Sequence, residues 1–250
     1  MRIASYNING LKSAWSKHLK QYIVATQADV FCVQEIRANK DLVLYFVPGY
    51  EEFYHPSGTS GYAGVGMFCK QNPKAIIHGI GVPKREAEGR AITIETKEFY
   101  IVNVYAPASG ANLEKLNNKV SWLNDLCRYV KYLEGKKPVI ICGDMNVAGG
   151  VNDMPYDMRN VASAGNTTEE REAFNRLLNE GYFDVWRQLH PGVRGVSWTP
   201  YGYKESREDE VGWRLDYFLV SESLRNRVRS CEILPSRGFS DHRCAILDIK

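Results

Sequence analysis

Apolar positions along the chain fall into two kinds of block. Short runs rich in β-branched and aromatic residues predict strands at Arg2–Tyr6, Asp29–Gln34, Val65–Cys69, Ile76–Gly79, Ala91–Thr96, Phe99–Tyr105, Val139–Cys142, Leu215–Val220 and Cys244–Ile249. Elsewhere the spacing lengthens to that of a helix. Trp15, Leu19, Tyr22 and Ile23 predict a first helix. Leu116, Val120, Leu123, Cys127, Val130 and Leu133 advance in steps of four and three, so they form one apolar stripe of a second, which Gly135 and Pro138 end. A third opens on Thr167-Thr168-Glu169-Glu170, a capping-box pattern, and turns Phe174, Leu177 and Leu178 inward.

The pattern also repeats over a long range. An apolar strand running into Asn occurs in IASYNIN and again in VIICGDMN, each followed by a helical stretch and more strands. That echo predicts two β-rich halves packed sheet on sheet, with helices outside and polar strand ends gathered at one rim. No linker or low-complexity segment interrupts residues 1–250, which predicts a single domain.

Composition narrows the picture only a little. Hydrophobic residues at 44% and charged residues at 24% exclude wholesale disorder. No run approaches the roughly 18 apolar residues that span a bilayer. The chain opens directly on a strand-like MRIASYNING, so neither a secretory leader nor a membrane partner is expected, and a cytoplasmic place follows, beside the nucleoid in a prokaryote. The net charge of +3 permits a polyanionic partner without requiring one. Six cysteines, five of them in apolar stretches and none in a C-x-x-C pair, predict buried reduced thiols rather than disulfides or a zinc module.

The chemistry lies in polar residues at strand ends. Asn7 and Asn9 follow the first strand, Gln34-Glu35 the second, and Asp144 and Asn146 follow VIIC; Asp216 sits inside WRLDYFLV, and Ser240-Asp241-His242 precede the last strand. A carboxylate at an apolar strand end costs desolvation energy unless a partner compensates it. Separate turn caps would explain any one of these positions; five together point to a shared site. Glu35, Asp144 and Asp241 offer hard oxygen ligands suited to Mg²⁺ or Mn²⁺ rather than zinc. His242 suits an imidazole oriented by a carboxylate, with Asp216 as the candidate. Such a group fits phosphodiester hydrolysis.

The segments NINGL, QE, GYAGVGMF, EGR, NVYAP, GDMN, VGWRLDYF and SDH occur in this order along the whole chain. Together they resemble the exonuclease III type of AP endonuclease, within the endonuclease/exonuclease/phosphatase superfamily. QE, GD-x-N and SDH mark only the superfamily, which includes DNase I, sphingomyelinases, inositol polyphosphate phosphatases and deadenylases. GYAGVG, EGR and GWRLDYF favour the DNA-repair branch. The resemblance implies a DNase I-like four-layer α/β sandwich, two packed mixed β-sheets flanked by helices. It implies a Mg²⁺- or Mn²⁺-dependent, monomeric enzyme that cleaves 5′ to abasic sites in double-stranded DNA and leaves a 3′-hydroxyl, with 3′–5′ exonuclease and 3′-phosphodiesterase activity. Glu35 resembles the principal metal ligand, with Asn9 and Asp241 beside it. Asp144 resembles the residue that activates water, and Asn146 the one that positions water or phosphate. His242, paired with Asp216, resembles the histidine at the scissile phosphate, which some readings make the base. Tyr105 resembles the tyrosine supporting phosphate or leaving group, and Asn7 the asparagine completing the site. Tyr62, Trp198, Lys12, Arg37 and Arg90 fall on the expected DNA side, as do Lys17 and Lys40.

Other features read as structure. Gly61, Gly64 and Gly66 suit turns and close packing, since no helix start follows. Trp213 suits packing beneath the site, and Arg225, Arg227 and Arg229 a solvated face. Departures from the family pattern are Ala108 after Tyr105-Ala106-Pro107, a Ser109-Gly110-Ala111 turn lacking a large basic residue, and Thr199 beside Trp198 in the expected abasic-pocket wall. The loop Val151–Gly165 is the least comparable segment. Two rival readings remain: a phosphatase or phosphodiesterase for lipid or inositol phosphates, and a non-catalytic DNA-binding protein on the same scaffold.

Overall fold

The computed structural model describes residues 1–38, 42, 45–200, 202, 208–235, 238 and 240–250. Lys40, expected on the DNA side, lies outside them. Among the described residues twelve strands form two six-stranded sheets. The strands are β1 (Arg2–Asn7), β2 (Val30–Gln34), β3 (Glu51–His55), β4 (Val65–Cys69), β5 (Ala75–His78) and β6 (Ala91–Glu95). They continue with β7 (Tyr100–Tyr105), β8 (Val139–Asp144), β9 (Tyr182–Asp184), β10 (Asp216–Ser221), β11 (Val228–Ile233) and β12 (Ala245–Ile249). The first sheet runs β11-β12-β1-β2-β4-β3 and the second β5-β6-β7-β8-β10-β9. Each holds one parallel pair, β1 with β2 and β7 with β8, among antiparallel neighbours.

Position by position the two sheets match, so the echo in the sequence is a topological repeat. Its phase differs from the expectation. IASYNIN and VIICGDMN are not counterparts: β1 corresponds to β7, and β8 corresponds to β2. Both motifs end in polar residues because all four of these strands end at the same rim.

Helices complete four layers. Outside the first sheet lie α1 (Leu11–Ser16) and α2 (Leu19–Thr26), whose Leu11, Leu19 and Ile23 pack on Ala4, Tyr6 and Phe31. The single helix expected there is two, because His18 between them is left-handed at φ 74. A short α3 (Pro83–Glu86) precedes β6. Outside the second sheet lie α4 (Leu116–Glu134) and α5 (Thr168–Asn179), with Trp122, Leu126, Phe174 and Leu177 against Val102, Ile141 and Leu219. Thr167 and Glu170 complete the capping box of α5.

Between the sheets Ile3, Cys32 and Met67 meet Ile92, Ile101, Cys142 and Val220. The central strands are thus covered on both faces, which is why they read as unbroken apolar runs. All six cysteines are buried and free. One polar tie crosses this core below the rim. Gln34 Nε2 donates to Asn103 Oδ1 at 2.7 Å and Ser5 Oγ at 3.0 Å, and Asn103 Nδ2 donates to the carbonyls of Val33 and Gly66. Gly64 and Gly66 do serve close packing: a Cβ would come within 2.5 Å of Ile36 and 2.6 Å of Tyr54 respectively.

Candidate active site

Strand register assembles the site. In β8, Asp144 lies beside Tyr105 of β7 on one side and Asp216 of β10 on the other. In the first sheet, Asn7 pairs with Gln34, one residue before Glu35. Gly143 makes the Asp144 position possible: at φ 131 a Cβ there would stand 2.0 Å from the carbonyl of Val104. Asn9, Glu35 and Asn146 are themselves left-handed, at φ 49, 53 and 51. Backbone bonds hold Glu35 so: its carbonyl accepts from Gly10 at 2.8 Å, and Ile36 N–H donates to Gly64. Non-glycine residues rarely adopt this region, and clusters of them mark functional sites.

Asn7 ties the sheets together. Its fully buried amide donates to Glu35 Oε1 at 2.9 Å and to Asp144 Oδ2 at 3.0 Å. Asp144 Oδ1 accepts from the Asn146 N–H at 2.7 Å, and Asn146 Nδ2 donates to the Ala106 carbonyl at 2.9 Å. His242 Nδ1 lies 2.8 Å from Asp216 Oδ2, and its Nε2 faces Asp144 Oδ2 across 3.8 Å. Asn9 Nδ2 donates to Asp241 Oδ1 at 2.8 Å, and the Trp198 indole donates to Asp241 Oδ2 at 2.9 Å. Donor atoms of Glu35, Asp144 and His242 lie within 4.8 Å of one another. Two carboxylates and one imidazole, with Asp241 and Asn9 adjacent and no thiol, fit a hard divalent cation.

Burial sets the electrostatics. Loss of solvent pushes the Asp144 carboxyl up to about 7, with Asp216 and Glu35 adding to the rise and His242 opposing it. At His242 burial works against the imidazolium, but Asp216 and then Asp144 outweigh it and raise the ring to about 10. Burial, with Glu35 and Asp144 nearby, pushes the Tyr105 phenol well above its ordinary value, so it stays a neutral donor.

These groups open on a cavity of about 550 Å³, whose lining includes Glu35, Asp144 and His242 together with the apolar Met158, Trp198 and Leu215. The profile of the Endonuclease/Exonuclease/phosphatase family matches residues 4–242 of the chain. The chain belongs to that family. Among the family's curated proteins, the exodeoxyribonuclease of Bacillus subtilis is 36% identical over 97% of this chain and 96% of its own. The DNA-(apurinic or apyrimidinic site) endonuclease of Dictyostelium discoideum is 39% identical over 98% of this chain and 69% of its own. Among solved structures, an AP endonuclease from Leishmania major superposes with a TM-score of 0.88 at 27% identity, over 98% of this chain and 86% of its own. The AP endonuclease from Archaeoglobus fulgidus shares the fold, with a TM-score of 0.87 at 24% identity over 100% and 99%.

Within this family site several expected residues have other surroundings. Arg90, expected to meet DNA, is only 3% exposed. Its guanidinium is committed to Glu88 and the Tyr62 hydroxyl and packs 4.8 Å over the Tyr105 ring, so it braces two tyrosines instead. Tyr62 remains exposed at 42%. Arg37 lines the cavity and donates from Nε to Glu35 Oε2 at 2.9 Å. Lys12 is exposed on α1, away from the cavity lining. Thr199 is buried and does not line the cavity; Trp213 packs with Ala148, Met154 and Leu215 and also reaches the lining. Of the basic run, Arg225 pairs with Glu222 and Arg227 with Glu98.

Sequence reasoning missed Ser197 as a site residue. Its fully buried hydroxyl donates to Asp216 Oδ2 at 2.6 Å and accepts from the N–H groups of Leu215 and Asp216. It missed Arg214 too, which is buried and paired with both Asp153 and Asp184. That network anchors the start of the Val151–Gly165 loop beside the cavity. The arginine of the GWRLDYF segment was the available signal.

Proposed function

We propose that this protein is a divalent-metal-dependent DNA repair nuclease of the AP endonuclease type. It hydrolyses the phosphodiester 5′ to an abasic site in duplex DNA, leaving a 3′-hydroxyl and a 5′-deoxyribose phosphate. Removal of 3′ blocks and 3′–5′ exonuclease action would use the same centre. The observation that carries this reading is the convergence of Glu35, Asp144 and His242, backed by Asp216, at the mouth of one half-apolar cavity. Relatives named for both activities support it.

Asp144, held by Asn7 and the Asn146 N–H, takes the proton of the attacking water. A carboxyl raised toward neutrality is matched to that task. His242, held as an imidazolium against Asp216, donates to a phosphoryl oxygen rather than accepting a proton. Tyr105 adds a neutral donor braced by Arg90. Attack forms the new P–O bond as the P–O3′ bond breaks and the 3′-oxygen leaves. A Mg²⁺ or Mn²⁺ ion at Glu35, with Asn9 and Asp241 beside it, would neutralise charge on the phosphate and the leaving oxygen. The Met158–Trp198–Trp213–Leu215 wall suits an extruded sugar without a base, which unstacks at little cost.

A duplex oligonucleotide carrying a tetrahydrofuran abasic analogue tests the reading. Purified protein incises it 5′ to the lesion with Mg²⁺ or Mn²⁺ and not with EDTA. Absence of incision, or preferential hydrolysis of a phosphoinositide, overturns it.

A further inference from the structure

Lys119 sits in the first turn of α4 and is completely buried, as is Glu170 at the third position of α5. Lys119 Nζ donates to Glu170 Oε1 at 2.7 Å and to the main-chain carbonyl of Asn146. Glu170 also accepts from the Ser109 hydroxyl, the Gly165 N–H at 3.1 Å and the Thr167 N–H at 3.0 Å. Ser109, Asn146 and Gly165 come from three different loops, and all three line the cavity. One internal ion pair therefore joins three walls of the site to two outer helices.

Stability alone does not account for such a pair. A buried ion pair is often no more stabilising than apolar side chains of the same volume. The geometry here is specific. Asn146 is left-handed, and its two main-chain groups are fixed from opposite sides: its N–H by Asp144 Oδ1, its carbonyl by Lys119.

We propose that Lys119 is a positioning residue for hydrolysis: its buried ammonium holds the Asn146 carbonyl and so fixes Asn146 against Asp144. Glu170 anchors that ammonium and sets the Ser109 and Gly165 walls around it. The inference rests on the reading of Asp144 and Asn146 as the hydrolytic pair. Burial draws the Lys119 ammonium below its ordinary range while Glu170 opposes the fall, and Asp144 lies within its field.

The test compares K119M with E170Q in the full chain, by single-turnover incision of abasic duplex, DNA Kd, thermal melting and amide hydrogen exchange. K119M loses the Asn146 contact; E170Q keeps it. K119M is expected to lower the single-turnover rate at least about 20-fold with DNA Kd changed less than about 3-fold, in the range of supporting-residue effects. The Asn146 amide is expected to exchange faster in K119M than in E170Q. E170Q melts at a temperature at least as far below wild type, yet loses less rate. If K119M does not fold, K119M/E170Q, which removes both charges, replaces it with the same expected rate loss. A K119M rate within about 3-fold of wild type, or rate losses that simply follow melting temperature, overturns the proposal. Wild-type incision tests the functional reading separately, and Asn146 exchange reads the positioning claim even where no incision is seen.

Discussion

The two sheets share one strand order and one parallel pair, yet they bring different chemistry to their common rim. From the first come Asn7 and Glu35, with Asp241 and His242 ahead of β12. From the second come Tyr105, Asp144 and Asp216, side by side in register. On the proposed function, one sheet would supply most of the cation-side oxygens and the other Asp144 as the base, with Tyr105 and Asp216 beside it. Asn7 and His242 reach across, the first to Asp144 and the second to Asp216. A repeated scaffold yields an asymmetric site because the residues just past matching strand ends differ.

Breaking the proton side has the largest expected effect. Asp144→Asn keeps the shape and removes the base, so turnover should fall at least about 100-fold while folding and much of the DNA affinity persist. An unchanged rate would remove Asp144 from that role. On the cation side, Glu35→Gln should weaken direct Mn²⁺ binding on the order of 10-fold or more, with added metal recovering part of the activity. Equal loss at all metal concentrations would count against Glu35 as a ligand. Ser197→Ala sharpens the comparison further. It frees Asp216 from its hydroxyl partner and should slow turnover about 10-fold with little change in metal affinity; a changed metal affinity would blur the division between the sheets.

The smallest effect concerns the support outside the second sheet. Burial raises the Glu170 carboxyl, but Lys119, Ser109 and Thr167 outweigh it and hold it below its ordinary value. Its contribution is therefore present above the usual carboxylate range and lost as pH falls through the depressed folded value. Melting curves from neutral to acid pH should show a shallower acid decline in Glu170→Gln than in wild type.

Most central strands were legible because burial on both faces leaves unbroken apolar runs, as in Val65–Cys69. The three strands that were not legible, β3, β9 and β11, are all edge strands. Edges carry charge and exposed positions, as Glu51–His55 and Val228–Ile233 do, and so lose the signal. The same logic divides the site. Asn7, Glu35, Asp144 and His242 stood out as polar groups ending apolar runs. Lys119 and Arg214 did not, and Arg90 was read as a DNA-side cation, because a buried cation reads like a solvated one until its partners are known. Ser197 is equally silent, since a serine in a loop has no pattern to break.

Mn²⁺ titration of isotope-labelled protein, followed by paramagnetic broadening of amide signals, tests most directly whether these distant segments share one ion. The amides of Glu35, Asp144 and His242 should broaden together at well under one equivalent, while Tyr100 and Val139, at the opposite strand ends, stay sharp. Broadening of only one of the three, or of Tyr100 and Val139 instead, would contradict a common centre.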